Sequence, residues 1–231
     1  MDGIIRRLAD NRSAASWATK MRRERFTMFL KLLSGVPRPL RILDVGGTQL
    51  FWSNMAFGDS MVEVVLLNRL ALEVNQPGYI SVAGDARALD GFKDGEFEVV
   101  FSNSVIEHLG DLPSQRAMAS EVSRVGQRYW IQTPNRYFPI EAHSLVPLYQ
   151  FLPRSSQASL AERFQPGWYR GIPPQEAKRE AGMVRLLTAR ELKSLFPSCT
   201  IWRERTLGLI KSLVAYKGFN EQAEPATRSN P

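Results

Sequence analysis

The sequence is poor in the residues that build secreted scaffolds and metal centres. It has one cysteine, Cys199, in 231 residues. An intrachain disulfide framework is therefore excluded, and a reducing, cytoplasmic setting is expected. One cysteine and two histidines, His108 and His143, give no zinc-finger spacing. No uncharged apolar run is long enough to cross a bilayer. The opening MDGIIRRLADNRS has no apolar stretch before a small-residue cleavage site, so no signal peptide is expected. Internal repeats and aromatic RNA-binding signatures are missing too, and nucleic acid is not an expected partner.

What is present is a series of short apolar runs, each ending in turn residues. Arg41 to Leu50 reads RILDVGGTQL, a strand core carrying one acid, Asp44, that runs into Gly46-Gly47-Thr48. Glycine lacks Cβ and accepts positive φ, so backbone can approach a ligand closely there. Val62 to Leu67 (VEVVLL) ends at Asn68, and Tyr79 to Ala83 leads to Gly84-Asp85-Ala86. Phe97 to Phe101 (FEVVF) leads to Ser102-Asn103-Ser104, and Tyr129 to Gln132 leads to Thr133-Pro134-Asn135. Near-continuous apolar strands suit a parallel sheet buried on both faces. Such sheets bind nucleotides past the carboxyl ends of their strands. With 44% hydrophobic residues the chain can bury a full core in one domain.

The motifs DVGGT, LLN, GDA and FEVVFSNSVIEHL, in that order, resemble those of class I S-adenosylmethionine-dependent methyltransferases. The likeness is strongest to the small-molecule group that includes quinone-biosynthesis enzymes, and it covers Arg41 to Asn135. It implies an α/β, Rossmann-like, doubly wound and mostly parallel seven-stranded sheet with a C-terminal antiparallel strand pair. It also implies the cofactor S-adenosyl-L-methionine and a set of residues to hold it. Asp44, Gly46, Gly47 and Thr48 match the turn that cradles the methionine part. Asn68 stands where the family has a ribose-binding Asp or Glu. It can still accept and donate through its amide, but the charge-assisted bond is lost. Asp85 and the Ala86 N–H match the adenine contacts, and Asn103 and Ser104 match positions beside the sulfonium. Thr48 replaces a family glycine, and its hydroxyl could bond a carboxylate. The Asn-Pro-Pro-aromatic motif of nucleobase methyltransferases is missing after the fourth strand.

Both histidines follow strands whose ends form the expected binding rim. A base that removes a hydroxyl proton assists methyl transfer to oxygen, and histidine has a suitable pKa. His108 and His143 are the catalytic candidates, with Glu141 and Glu107 behind them. The structural alternatives are a helix-start residue at His108 and a loop hydrogen-bonder at His143. Glu107-His108 also resembles part of a metal-binding Glu-x-x-Glu-His pattern of some relatives, with Ser104 at its first position. Neighbours on a helix point about 100° apart, so no metal is expected.

The net charge of +7 is concentrated near the start, at Arg6, Arg7, Arg12, Lys20, Arg22, Arg23 and Arg25. Trp17, Met21, Met28 and Leu32 share a helical face, so Ser13 to Leu33 reads as an amphipathic helix with Ser13 as cap. It would pack on the sheet edge with a solvated basic face, and that face offers a peripheral contact with anionic membrane. Residues 134–187 form a proline- and aromatic-rich insertion that would cover the substrate, with a short helix over His143 to Phe151. Thr188 to Phe196 has a capping-box pattern, Cys199 to Thr206 and Leu209 to Lys217 form the strand pair, and 219–231 reads as a disordered tail. The expectation is thus one methyltransferase domain over 1–218, acting on a small-molecule or lipid-linked acceptor, with oxygen favoured by resemblance. The rival reading is a non-catalytic interaction subunit, motivated by Thr48 and Asn68. The oligomeric state is open.

Overall fold

A computed structural model describes residues 17–220, with side chains from residue 21. Ser13, Arg6, Arg7 and Arg12 lie outside the described residues, as does the tail from 221. A 17-residue helix α1 (Trp17–Leu33) precedes strand β1 (Leu40–Val45). Helix α2 (Gln49–Asn54) and strands β2 (Val62–Asn68), β3 (Tyr79–Ala83) and β4 (Val99–Asn103) follow. Helix α3 (Leu112–Val125) leads to β5 (Tyr129–Pro134). Helices α4 (Arg154–Phe164), α5 (Pro174–Met183) and α6 (Ala189–Leu195) come before β6 (Thr200–Thr206) and β7 (Leu209–Lys217).

The seven strands form one sheet in the order β3-β2-β1-β4-β5-β7-β6. Strands β1 to β5 pair in parallel, and β7 runs antiparallel to both β5 and β6. The chain leaves β1 toward β2 and β3, then crosses back to β4 on the other side. The crevice where ligands gather in such sheets therefore opens between the loops after β1 and β4.

The apolar runs are continuous because both faces are covered. Leu43, Val45, Val65, Val100 and Ile131 pack with Met118 and Val122 of α3 and Leu192 of α6. Ile42, Val64, Phe101 and Trp130 pack on the other face with Phe26, Phe29 and Leu32 of α1 and Trp52 of α2. A fully buried aliphatic or aromatic side chain contributes about 1.5–3 kcal/mol, and both faces are lined with them. At α6, Thr188 Oγ1 accepts from the Glu191 N–H and the Glu191 carboxylate accepts from the Thr188 N–H, which completes the capping box.

Three expectations need correction. The first concerns the basic face of α1, which is not simply solvated. Arg25 is buried and lies 3.6 Å from Glu204 of β6, and burial lowers the Arg22 pKa to about 10. The helix presses Arg25 into the same stripe as Phe29, so part of the basic excess is spent inside. A second correction falls on His143 to Phe151, which is not a helix. Leu145 and Leu148 take positive φ, Pro147 disfavours helix before it, and only Tyr149–Phe151 form a 3-10 turn. The third is the insertion, which is more regular than its prolines suggested. Pro153 caps α4, and Pro173 and Pro174 start α5, positions where proline has no N–H to lose.

Candidate active site at the sheet rim

The turn after β1 is built around a buried acid. Asp44 points to the same face as Ile42, is 1% exposed, and accepts a hydrogen bond from Trp52 Nε1 at 2.7 Å. Burial pushes its carboxyl up to about 7, the indole bond acting against this. A Cβ on Gly47 would lie 1.7 Å from Asp44 Oδ2, so only glycine fits beside the carboxylate. Gly46 has φ +75°, and a Cβ there would meet Val105 at 2.5 Å. The loop after β4 thus closes directly onto the glycine turn. Thr48 is the N-cap of α2, its Oγ1 accepting from the Phe51 N–H at 3.2 Å, which leaves its hydroxyl proton to donate.

The next strand tips continue the rim. Asn68 Nδ2 donates to the Gly47 carbonyl at 2.8 Å, and the Gly84 N–H donates to the Asn68 carbonyl at 2.8 Å. Asp85 follows Gly84 and is held by its neighbour. Arg87 Nε donates to both carboxylate oxygens at 2.9 and 3.1 Å, and its Nη2 adds a bond of 2.5 Å. These bonds keep the Asp85 pKa at about 2. Ala86 packs its side chain against the core below. Asn103 ends β4, and Ser104 takes φ +60° with its Oγ donating to Gln132 Oε1 at 2.9 Å. The sequence-derived residues from Asp44 to Ser104 therefore lie along one edge, linked through Gly47, Asn68 and Val105.

The two histidines meet. His108 sits in a 3-10 turn (Ile106–Leu109), and its Nε2 lies 3.1 Å from His143 Nε2. Glu141, 2% exposed, orients His143. Its Oε1 accepts from His143 Nδ1 at 2.7 Å and from the His143 N–H at 3.0 Å, and its Oε2 accepts from the Ser144 N–H at 2.6 Å. Burial would raise the Glu141 pKa, but these donors hold it at about 2. Burial likewise works against the His143 cation, yet Glu141 and Glu107 raise its pKa. His108 has no such carboxylate in contact; burial and the facing His143 lower its pKa to about 4. One ring is thus kept neutral beside one that readily holds a proton.

Glu107 is fully buried. Its Oε2 accepts from Thr133 Oγ1 at 2.9 Å, while its Oε1 has no partner among the described residues, and burial raises its pKa. The spacing argument against a metal does not hold. Glu107 and His108 lie on a 3-10 turn, and one donor atom each from Glu107, His108 and His143 fall within 4.8 Å of one another. Glu141 on the outer nitrogen of His143 is the usual support for a ligating imidazole. The donor set and the unpartnered Oε1 fit a divalent cation. Sequence reasoning ranked Glu141 and Glu107 low because the long loop that returns Glu141 to His108 has no periodicity to read.

Residues 52–128 match a family model described as a methyltransferase domain. No curated protein sequence matches the chain. Among solved structures, CurJ carbon methyltransferase superposes with a TM-score of 0.54 at 12% identity, over 87% of this chain and 55% of that one. The chain thus spans little more than half of that protein. The N-terminal domain of EvdMO1, solved with SAH and D-fucose, gives 0.50 at 13% identity, covering 86% of this chain and 82% of that one. A possible exported protein from Bordetella parapertussis gives 0.50 at 12%, covering 87% and 69%. At such identities the superpositions speak for the fold alone. No helix among the described residues is long and apolar enough to cross a membrane.

Proposed function

We infer that the chain is a class I S-adenosylmethionine-dependent methyltransferase, as the match of residues 52–128 and the shared fold support, and that it transfers the cofactor's methyl group to a hydroxyl of a small or lipid-linked acceptor. The observation that supports this most strongly is the run Glu141, His143, His108, which stands beside the tips of β4 and β5. Methyl transfer needs an in-line nucleophile close to the sulfonium, and positioning supplies much of the rate. An oxygen nucleophile must also lose a proton, and this is the task for which a neutral imidazole is suited.

In this reading the cofactor lies along the rim. Its amino-acid end rests on Gly46 and Gly47, its ribose meets the Asn68 amide oxygen, and its adenine meets Asp85 and the Ala86 N–H. Asp44 does not need to reach the ligand. Buried against Trp52 and Gly47, it fixes the turn's shape. Asn103 and Ser104 stand nearest the reacting methyl group. Glu141 holds His143, and the histidine pair accepts the acceptor's proton.

The orphaned Glu107 oxygen favours a second reading. A divalent cation on Glu107, His108 and His143 would draw in the acceptor oxygen and lower its pKa. Turnover that survives exhaustive chelation supports the base reading, and turnover restored only by added metal supports the second. Calorimetric titration with S-adenosylmethionine, S-adenosylhomocysteine and NAD tests the shared premise. Binding of both methyl cofactors and not of NAD is expected; binding of NAD alone would reverse the assignment.

A further inference from the structure

Within the insertion lies a cavity of about 160 Å³, lined by Arg136, Glu141, Gln150, Arg154, Tyr169 and Arg185 among others. Its volume is close to that of an engineered pocket, about 150 Å³, which holds one benzene ring. Glu141 stands in the cavity wall and also grips His143. A molecule in the cavity is therefore separated from the proposed proton acceptor by one residue, Glu141.

Two polar groups in this wall lack protein partners. The first is Gln150, 7% exposed. Its Nε2 donates to the Arg136 carbonyl at 3.2 Å and to the Phe138 carbonyl at 2.6 Å. Those two acceptors fix which end of the amide is nitrogen. The oxygen left over is buried and has no hydrogen-bond partner among the described residues. An orphaned buried acceptor is costly and marks a place where a donor belongs. The second is the Arg136 guanidinium. Its backbone N–H donates to the Leu187 carbonyl, but its side chain has no partner among the described residues. The other two arginines are engaged. Arg185 is bonded to Gln115 and Glu191, and Arg154 donates to the Gly110 carbonyl at 2.9 Å.

We propose that this cavity binds the methyl acceptor as a small monocarboxylate, with the carboxylate on Arg136 and a hydroxyl or N–H other than the methylated hydroxyl donating to Gln150 Oε1. The assignment rests on the methyltransferase reading for the word acceptor, and it names the substrate class. The planar guanidinium fork matches a carboxylate bidentately. Glu141 in the same wall has its oxygens taken up by His143 and Ser144 and offers no donor to a further anionic oxygen, which favours a carboxylate over a phosphate. Neutral Tyr169, its phenol pushed well up by burial and by Glu141, adds a hydroxyl without adding charge.

The test uses the full chain and matched probes: 3-hydroxybenzoate, benzoate, 3-hydroxybenzamide, 3-hydroxyphenyl phosphate, and the aliphatic pair lactate and lactamide. Affinities are read by calorimetry or ligand-observed NMR. The carboxylates are expected to bind about tenfold or more tightly than their amides, and 3-hydroxybenzoate more tightly than benzoate. Arg136→Gln is expected to erase the carboxylate preference while keeping the wild-type melting temperature. Equal binding of acids and amides, tighter binding of the phosphate, or no binding of any probe would each overturn the proposal. S-adenosylhomocysteine is titrated into the same samples. If it binds while the carboxylates do not, the cavity assignment falls and the methyltransferase reading stands. If it fails to bind, that reading falls whatever the carboxylates do.

Discussion

Asn68 Nδ2 donates to the carbonyl oxygen of Gly47 at 2.8 Å, tying the tip of β2 to the turn after β1. A carboxylate at this position has no proton to donate and would face that carbonyl with a negative oxygen. The departure from the family's acid thus has a structural function here. Asn68→Asp is expected to lower stability by about 1–2 kcal/mol and to leave S-adenosylhomocysteine affinity no better than wild type. Melts and calorimetry on the variant check this; a tighter-binding, equally stable Asn68→Asp protein would show that the amide is only a weak substitute.

Asp44 couples the fold to pH. Its reference value is 3.8 and its folded value about 7, so between these the native state holds a proton that the unfolded chain has released. The stabilisation is full below 3.8 and is lost as the pH rises through 7. The shift corresponds to about 4 kcal/mol. Asp44→Asn keeps an acceptor for Trp52 and has nothing to ionise. The variant should melt higher than wild type at pH 8 and lose the slope between pH 4 and 7. Its S-adenosylhomocysteine affinity should change little if Asp44 only shapes the turn.

Gly47 leaves no room for a methyl group, because the Asp44 carboxylate occupies the place of its Cβ. Gly47→Ala is expected to cost about 3 kcal/mol or more through overpacking and loss of the Asp44–Trp52 bond. Denaturant melts would report the loss. The double variant Gly47→Ala/Asp44→Ala should recover part of it, since the clash is with that side chain.

Asp85 and Arg87 separate recognition from support. Asp85→Ala should weaken S-adenosylhomocysteine binding about tenfold, the value of one good hydrogen bond. Arg87→Ala should change it by no more than about twofold while returning the Asp85 pKa from about 2 toward 3.8. An Asp85→Ala protein that titrates like wild type would remove this residue from the rim.

Turnover should depend on the histidines and cofactor binding should not. His108→Ala and His143→Ala are each expected to lower kcat by about 10²–10⁴-fold. Labelled-cofactor turnover in a cell extract measures the first quantity and calorimetry the second. Parallel loss of both would place the pair in the folding of the rim.

The sheet was legible because its signal is local. Val62 to Asn68 and Tyr79 to Ala83 are apolar on alternate and adjacent positions, and turn residues close them. At β4 the strand runs two residues later than the FEVVF motif suggests, since Ser102 is buried with its hydroxyl donating to the Val45 carbonyl and so pairs like a core residue. The identities along the rim were readable for the same reason, because parallel strands bring their ends to one edge. What could not be read were contacts made over long separations. Nothing near Glu141 in the chain points to His108. Helices α4 and α5 of the insertion were not read, because their starts are marked by Pro153, Pro173 and Pro174 and not by a polar cap.

The insertion closes on itself at its base. Asn135 and Leu187 form a bridge, the Arg136 N–H donates to the Leu187 carbonyl at 3.0 Å, and Asn135 anchors to Ile210 and Lys211 of β7. Because entry and exit share one stitch, about fifty residues hang from a point instead of bridging two distant ones, and lengthening or replacing them adds little closure entropy. Under the proposed function, substrate preference in such a scaffold can drift by exchange of this cartridge while the rim from Asp44 to Ser104 is passed on untouched.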